Sequence, residues 1–273
     1  MKKILFPLLI VVLLFGCSVN TDKIQRLVVT GDIVSERYEF GPFTEVMVAG
    51  PISVVLDQTP GNRAEVETYE SLMELFRAEI VENTLVLYIL DTTSTLEIDI
   101  DSGLGDISKN ALVSGSRIKW PDNKKVLNVH LYAPDVKKIT VVGECDMNTA
   151  QPFRAPELKF EVAGVLHLNA DLEVERFGVE IAGVANLELR GSAEDFTVEC
   201  AGVGTIKAFE FIADNVTMDV AGVCNGSVYA RTSIDVELAG MGTITYKGSP
   251  GSVNFEKAGF GKIKQAESDD TEL

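Results

Sequence analysis

The chain has 273 residues, 41 Asp plus Glu against 24 Lys plus Arg, a formal net charge of −17, and 46% apolar residues. That balance argues for a folded chain. It excludes nucleic-acid binding, which needs a basic face to neutralise phosphates, and disfavours unaided docking on anionic lipid.

The first segment reads as a signal. Met1-Lys2-Lys3 is basic, and residues 4–15 are apolar apart from Pro7. The run is shorter than the ~20 residues of a membrane span. Leu14-Phe15-Gly16-Cys17 resembles a bacterial lipobox, with Leu at −3, Gly at −1 and Cys at the cleavage site; the bulky Phe15 at −2 is its one departure. The resemblance predicts a lipoprotein signal peptide over residues 1–16 and a membrane anchor through lipid on Cys17. Ser18 after the cysteine points to the outer membrane, facing either the periplasm or the exterior. Loss of Lys2 and Lys3 with the signal takes the net charge from −17 to −19.

Residues 17–36 read as a tether with one short strand at 26–29. Residues 37–132 are strand-rich without a repeat. Segments 44–48, 52–57, 63–69, 76–81, 84–90 and 126–132 read as strands, and 71–75 as a short helix. Pro60-Gly61 and Glu82-Asn83 are turn signals between them. This part is expected to form irregular first coils or a cap, because the end of a solenoid exposes unpaired edges. Residues 91–125 are polar and carry Gly103, Gly105, Gly115 and Pro121. They read as a long mobile loop, with a strand at 96–100 and the only tryptophan, Trp120. Asp99, Asp101 and Asp106 suggest a Ca²⁺ loop, but the Gly and Glu positions that an EF-hand requires are missing.

Residues 133–266 hold the strongest pattern. Ala-Gly recurs with its glycine at Gly164, Gly183, Gly202, Gly222, Gly240 and Gly259, at spacings of 19, 19, 20, 18 and 19; Val142-Gly143 is a degenerate first copy. With each glycine at position zero, positions −6, −4 and −2 are apolar. Position −2, for instance, holds Val162, Ile181, Cys200, Val220, Leu238 and, exceptionally, Lys257. A second apolar alternation follows at +4 and +6. Each unit is therefore strand, glycine corner, strand, turn, with the glycine allowing a tight or positive-φ bend. Such a unit cannot bury its own apolar side, but coaxial stacking can. The fold class is all-β, a parallel β-helix of about 19 residues per coil with an irregular N-terminal β cap. Seven coils at the strand spacing make a stack of roughly 34 Å. The acidic residues 267–273 form a tail.

Position −3 gathers six carboxylates on one outer face: Glu161, Glu180, Glu199, Asp219, Glu237 and Glu256. In register, neighbouring charges repel by roughly 0.9 kcal/mol in water. A Ca²⁺ ladder, a basic partner surface, or a solvated face screened by salt would each answer that repulsion. Position +3 holds His167, Asn186, Thr205, Asn225, Thr243 and Lys262, which suit a side-chain hydrogen-bond ladder. Cys200 falls at inward −2, and Cys145 and Cys224 at +2 but four coils apart, so the three read as buried unpaired thiols.

Catalytic signatures are missing. Two histidines, His130 and His167, leave little room for a His-rich metal site or a His-based triad. There is no Gly-x-Ser-x-Gly, no His-Glu-x-x-His and no phosphate-binding loop. Arg154, Arg176, Arg190 and Arg231 occupy different columns, and the outer columns of the repeats lack aromatic platforms. No cofactor is expected.

The lipobox, the run Tyr38-Glu39-Phe40-Gly41-Pro42-Phe43-Thr44-Glu45-Val46-Met47-Val48, the run Ile52-Ser53-Val54-Val55-Leu56-Asp57-Gln58, and Asn83-Thr84-Leu85-Val86-Leu87 precede the Ala-Gly coils. Together these features resemble the putative auto-transporter adhesin, head GIN domain family of bacterial envelope proteins, over roughly residues 37–265. The resemblance implies a right-handed parallel β-helix and a non-enzymatic, lipid-anchored adhesin or interaction scaffold, with a protein or polysaccharide as partner. The alternative is a carbohydrate-active β-helix enzyme, similar to pectate lyases, acting on acidic polysaccharide.

Overall fold

The computed structural model describes residues 27–90, 118–121 and 124–266. The signal peptide, Cys17, the tether up to Arg26, the strand at 96–100 with most of the 91–125 loop, and the acidic tail lie outside the described residues.

The N-terminal part comprises β1 (Leu27–Val28), β2 (Ile33–Glu39), β3 (Glu45–Ala49), β4 (Ile52–Asp57), β5 (Arg63–Tyr69), α1 (Glu70–Met73), β6 (Phe76–Val81), β7 (Thr84–Ile89), β8 (Ile118–Lys119) and β9 (Leu127–Tyr132). The repetitive part follows as β10 (Lys138–Val141), β11 (Glu144–Thr149), β12 (Phe153–Val162), β13 (Val165–Ile181), β14 (Val184–Cys200), β15 (Val203–Val220), β16 (Val223–Leu238), β17 (Met241–Lys247), β18 (Ser252–Lys257) and β19 (Phe260–Gln265). The coils stack as a parallel β-solenoid of about 7 turns, about 19 residues apart. Each long strand bends around most of one coil, so β13 pairs in parallel on one side with β11 and β12, which together make the preceding coil, and on the other with β14. The 20- and 18-residue spacings coincide with register shifts, at Glu188/Arg190 between β14 and β15 and at Ala208/Ile212 between β15 and β16.

The chain does not enter at the end of the stack. The coil formed by β3 and β4 lies second. β10 and β11 pair on one side of it, and β7 and β9 on the other. Between these visits the chain builds the cap, in which β6 runs antiparallel to β7, β5 to β9, and β2 to β5. The expected early coils and expected cap are both present, interleaved in sequence.

Two boundaries differ from expectation. Strand β2 begins at Ile33, inside the stretch read as tether. Among the described residues it is an edge strand paired only to β5, and it is largely exposed, so its sequence carries no clear apolar alternation. Ile118 and Trp120, inside the stretch read as mobile loop, are anchored instead: β8 pairs with β1, Ile118 is buried, and Trp120 packs toward Tyr69.

The core runs along the solenoid axis. Phe160, Phe177, Phe196 and Phe211 are all buried, and Phe177 and Phe196, register partners on adjacent coils, stack at 5.6 Å. Each such ring stabilises the fold by about 2–3 kcal/mol relative to exposure.

The corners explain the repeat. The N–H groups of Ala182 and Gly183 both donate to the Val162 carbonyl at 2.9 Å, and Val184 donates to the Gly164 carbonyl. The same trio recurs at Ala201-Gly202-Val203 and Ala221-Gly222-Val223. None of the six repeat glycines has positive φ. A Cβ at Gly183, Gly202 or Gly240 would instead stand about 2 Å from the glycine carbonyl oxygen of the preceding coil. Close backbone approach, rather than a left-handed bend, requires glycine here.

Candidate functional site

The carboxylate column is in register. Glu161 pairs with Glu180, Glu180 with Glu199, Glu199 with Asp219, Asp219 with Glu237, and Glu237 with Glu256. Its two ends differ. Lys138 and Lys159 reach Glu161 at 3.0 and 3.2 Å, and Lys159 reaches Glu180 at 2.6 Å. Burial pushes the Glu161 carboxyl up, but the two ammonium groups outweigh it and hold it below the usual carboxylate range. Among the described residues no cationic side chain lies within 4.0 Å of Glu199, Asp219, Glu237 or Glu256. Glu180, Glu199 and Asp219 line a hollow of about 280 Å³ together with Ala182, Ala201 and Ala221. Among the described residues no three His, Cys, Asp or Glu side chains converge as a metal site needs. The column is a row of separate charges rather than a cage.

The opposite flank of the corner carries the +3 column, also in register from His167 through Asn186, Thr205, Asn225 and Thr243 to Lys262. The ladder expected there forms in part. Asn186 Nδ2 lies 3.1 Å from His167 Nδ1, and the Thr243 N–H donates to Asn225 Oδ1 at 3.1 Å.

This face continues into the cap, which sequence reasoning missed. His167 pairs with Asp146, Asp146 with Ser53, and Ser53 with Asn128. Beside it runs a second column, Glu188, Asn169, Asn148, Val55, His130 and Glu65. Two hollows lie along these columns. One of about 370 Å³ is lined by Asp146, Asn148, His167, Asn169, Asn186 and Lys207, among others. The other, of about 610 Å³, includes Arg37, Glu65, Glu67, Asn128 and His130.

At the cap end stands a polar cluster. His130 Nε2 lies 2.9 Å from Asp57 Oδ2, and the His130 ring stacks on Tyr132 at 4.4 Å with the planes 4° apart. The Arg63 guanidinium covers Tyr132 at 3.5 Å. Asp57 Oδ1 accepts from the Thr59 N–H, the Thr59 hydroxyl and Gln151 Nε2. Burial works to raise the Asp57 pKa, but the Thr59 and His130 contacts prevail and lower it to about 2. With these partners Asp57 ties the β4 end to β9. The signal for this cluster was the period-two placement of His130 and Tyr132 on β9.

The three cysteines are buried and unpaired, as expected. Cys200 and Cys224 are nonetheless neighbours. A Cβ built at Gly204 would meet both sulfurs, at 3.2 and 3.3 Å.

A family model described as "Putative auto-transporter adhesin, head GIN domain" matches residues 42–250. The chain belongs to that family. No curated protein matches. Among solved structures, the head GIN chain is similar to a putative adhesin from Bacteroides fragilis, with a TM-score of 0.74 and 22% identity, covering 88% of this chain and 100% of that one. It is also similar to a putative lipid binding protein from Parabacteroides distasonis (TM-score 0.65, 18% identity, covering 89% and 100%). A putative adhesin from Parabacteroides merdae matches at a TM-score of 0.56 and 16% identity, covering 88% and 99%. At these identities the likeness shows the fold. Membership of the head GIN family points to an adhesin-like protein of the cell envelope or surface. No helix among the described residues is long and apolar enough to cross a membrane.

Proposed function

We propose that this head GIN chain is a non-enzymatic, lipid-anchored adhesin or interaction scaffold, held to the outer membrane through Cys17. In this reading it presents the flanks of its solenoid to a partner. One observation carries it: the outer columns repeat the same side-chain chemistry coil after coil, in register, as the row from Glu161 to Glu256 does. A rigid, repeating surface suits multivalent contact better than turnover, which needs a few groups converging on one bond. The four unneutralised members of the row, Glu199, Asp219, Glu237 and Glu256, are the part open to a basic partner.

The anchor is tested by labelling cells with radioactive palmitate. The wild-type chain should take up label and fractionate with the outer membrane, and Cys17→Ser should do neither. Surface presentation is tested by adding protease to intact cells, where resistance of the chain would overturn the adhesin reading. If the acidic row carries the contact, Glu199→Gln/Asp219→Asn/Glu237→Gln should abolish salt-sensitive adhesion to a polylysine-coated surface.

The enzyme alternative rests on the Asp57–His130 contact beside Arg63. Asp57 is engaged by Thr59 and Gln151 as well, which suits a structural anchor. Incubation with polygalacturonate tests this alternative directly, through the absorbance of unsaturated products.

A further inference from the structure

We infer that the trough along the +3 and +5 columns binds a linear, uncharged polysaccharide lying across the strands, about one sugar per coil. The inference deepens the adhesin reading by naming the class of partner and a face other than the acidic row.

Geometry comes first. The two hollows lie on one sheet face and meet at a pair of adjacent strands: β11 lines the first with Asp146 and Asn148, and its register partner β4 lines the second with Val55. The trough therefore runs from the cap down the repetitive part, perpendicular to the strands, with a repeat of about 4.8 Å. One hexose of an extended chain spans a similar length. Every strand that floors the trough is paired on both sides, apart from the edge strand β2, so an extended peptide finds no free backbone to join there.

Chemistry follows. Asn128, Asn148, Asn169 and Asn186 place carboxamides on four strands of this face. A carboxamide offers a donor and an acceptor side by side, which matches a pair of adjacent sugar hydroxyls. Asn148 is exposed, and no hydrogen bond holds its side chain among the described residues, whereas Asn128, Asn169 and Asn186 each engage one amide atom with Glu67, Arg190 and His167 and keep the other for a ligand. The His130–Tyr132 stack, clamped by Arg63 and Asp57, gives the cap end a rigid planar edge.

Charge selects between sugars. Glu36, Glu65, Glu67, Asp146 and Glu188 line the hollows against Arg37 and Lys207. The excess of carboxylates repels a polyuronate. The acidic polysaccharide of the enzyme alternative is thus the wrong class for this trough.

The test is affinity electrophoresis of the full chain in native gels. The gels contain mixed-linkage β-glucan, xylan or galactomannan, with polygalacturonate as the charged comparator. At least one neutral polymer should retard the chain, and polygalacturonate should not. Asn148→Ala, which removes no hydrogen bond among the described residues, should weaken the retardation several-fold with an unchanged melting temperature. Asn148→Trp, which obstructs the trough without removing a buried contact, should do the same. Glu199→Gln/Asp219→Asn should bind like the parent. Absence of retardation in all three neutral gels, preference for polygalacturonate, or trough variants that bind like the parent would each overturn the inference. None of these results bears on protease exposure or palmitate labelling, so the adhesin reading stands or falls separately.

Discussion

The missing Cβ of Gly183 would stand 2.0 Å from the carbonyl oxygen of Gly164, one coil earlier. That oxygen is not idle, because it accepts the Val184 N–H at 2.9 Å. The corner is held at the closest distance that two backbones permit, and a side chain of any size opens it. This relationship repeats along the stack, so one residue type is demanded once per coil.

Gly183→Ala or Gly202→Ala should therefore destabilise the fold by about 3 kcal/mol, the upper range for forcing an extra methyl into a packed site. The atoms in the way are backbone and cannot rotate aside. Gly178→Ala gives the opposite sign. Its Cβ would meet only Lys159 Cγ, at an ordinary 3.8 Å. There the reduced freedom of the unfolded chain should stabilise by about 0.5–1 kcal/mol. Urea melts of the three variants check the contrast.

Asp57 should give the fold an acid-sensitive component. Its pKa falls from 3.8 to about 2 in the folded state, so the folded chain binds this proton less readily than the unfolded one. The contribution is fully present above pH 4 and is lost as pH falls through about 2. Its size is on the order of 2 kcal/mol. Glu161, also lowered, acts in the same direction. Chemical melts between pH 5 and pH 2 should show a smaller loss of stability for Asp57→Asn than for the wild type.

The repetitive half was legible because the backbone constraint at each corner leaves one residue type per coil. The strands of the cap were legible too, and β4, β5 and β6 begin and end where the pattern puts them. Three features were hidden for physical reasons. Strand β2 faces solvent on its open side and needs no apolar face. Ile118 and Trp120 are isolated apolar anchors in a polar stretch, too few to make a period. His130 and Asp57 lie 73 residues apart in sequence and meet only because the chain leaves the stack to build the cap and returns with β9 beside β4. The trough is likewise a product of topology, since its two columns draw on coils that are not consecutive in sequence.

The thiols offer a count that bears on the anchor. Burial pushes the Cys145 thiol up, and the neighbouring Cys200 sulfur together with burial pushes up that of Cys224, so neither is a ready nucleophile in the folded chain. A disulfide reagent such as Ellman's should react slowly with the native protein and quickly after denaturation in guanidinium. The denatured chain isolated from membranes should then titrate three thiols if lipid occupies the Cys17 sulfur. Four thiols would mean that Cys17 is free.

Lys257 is the last inward-facing residue at position −2, where earlier coils carry Val162, Ile181, Cys200, Val220 and Leu238. Among the described residues, strands β18 and β19 pair on one side only, which leaves an open edge beneath them. Val253 and Phe255, inward positions in every earlier coil, are 48% and 37% exposed there. Such an edge invites another chain to continue the stack. Lys257 opposes that, because its ammonium group donates to the Gly261 carbonyl at 2.9 Å and sets a charge where a further coil would pack. A stacked chain would have to bury that charge without a counter-ion, at a cost of several kcal/mol. Lys257→Leu should remove the barrier, and its weight-average mass in sedimentation velocity should rise with concentration. The wild-type chain should show less association at every concentration, and equal association of the two would mean that the open end is blunted by something other than this lysine.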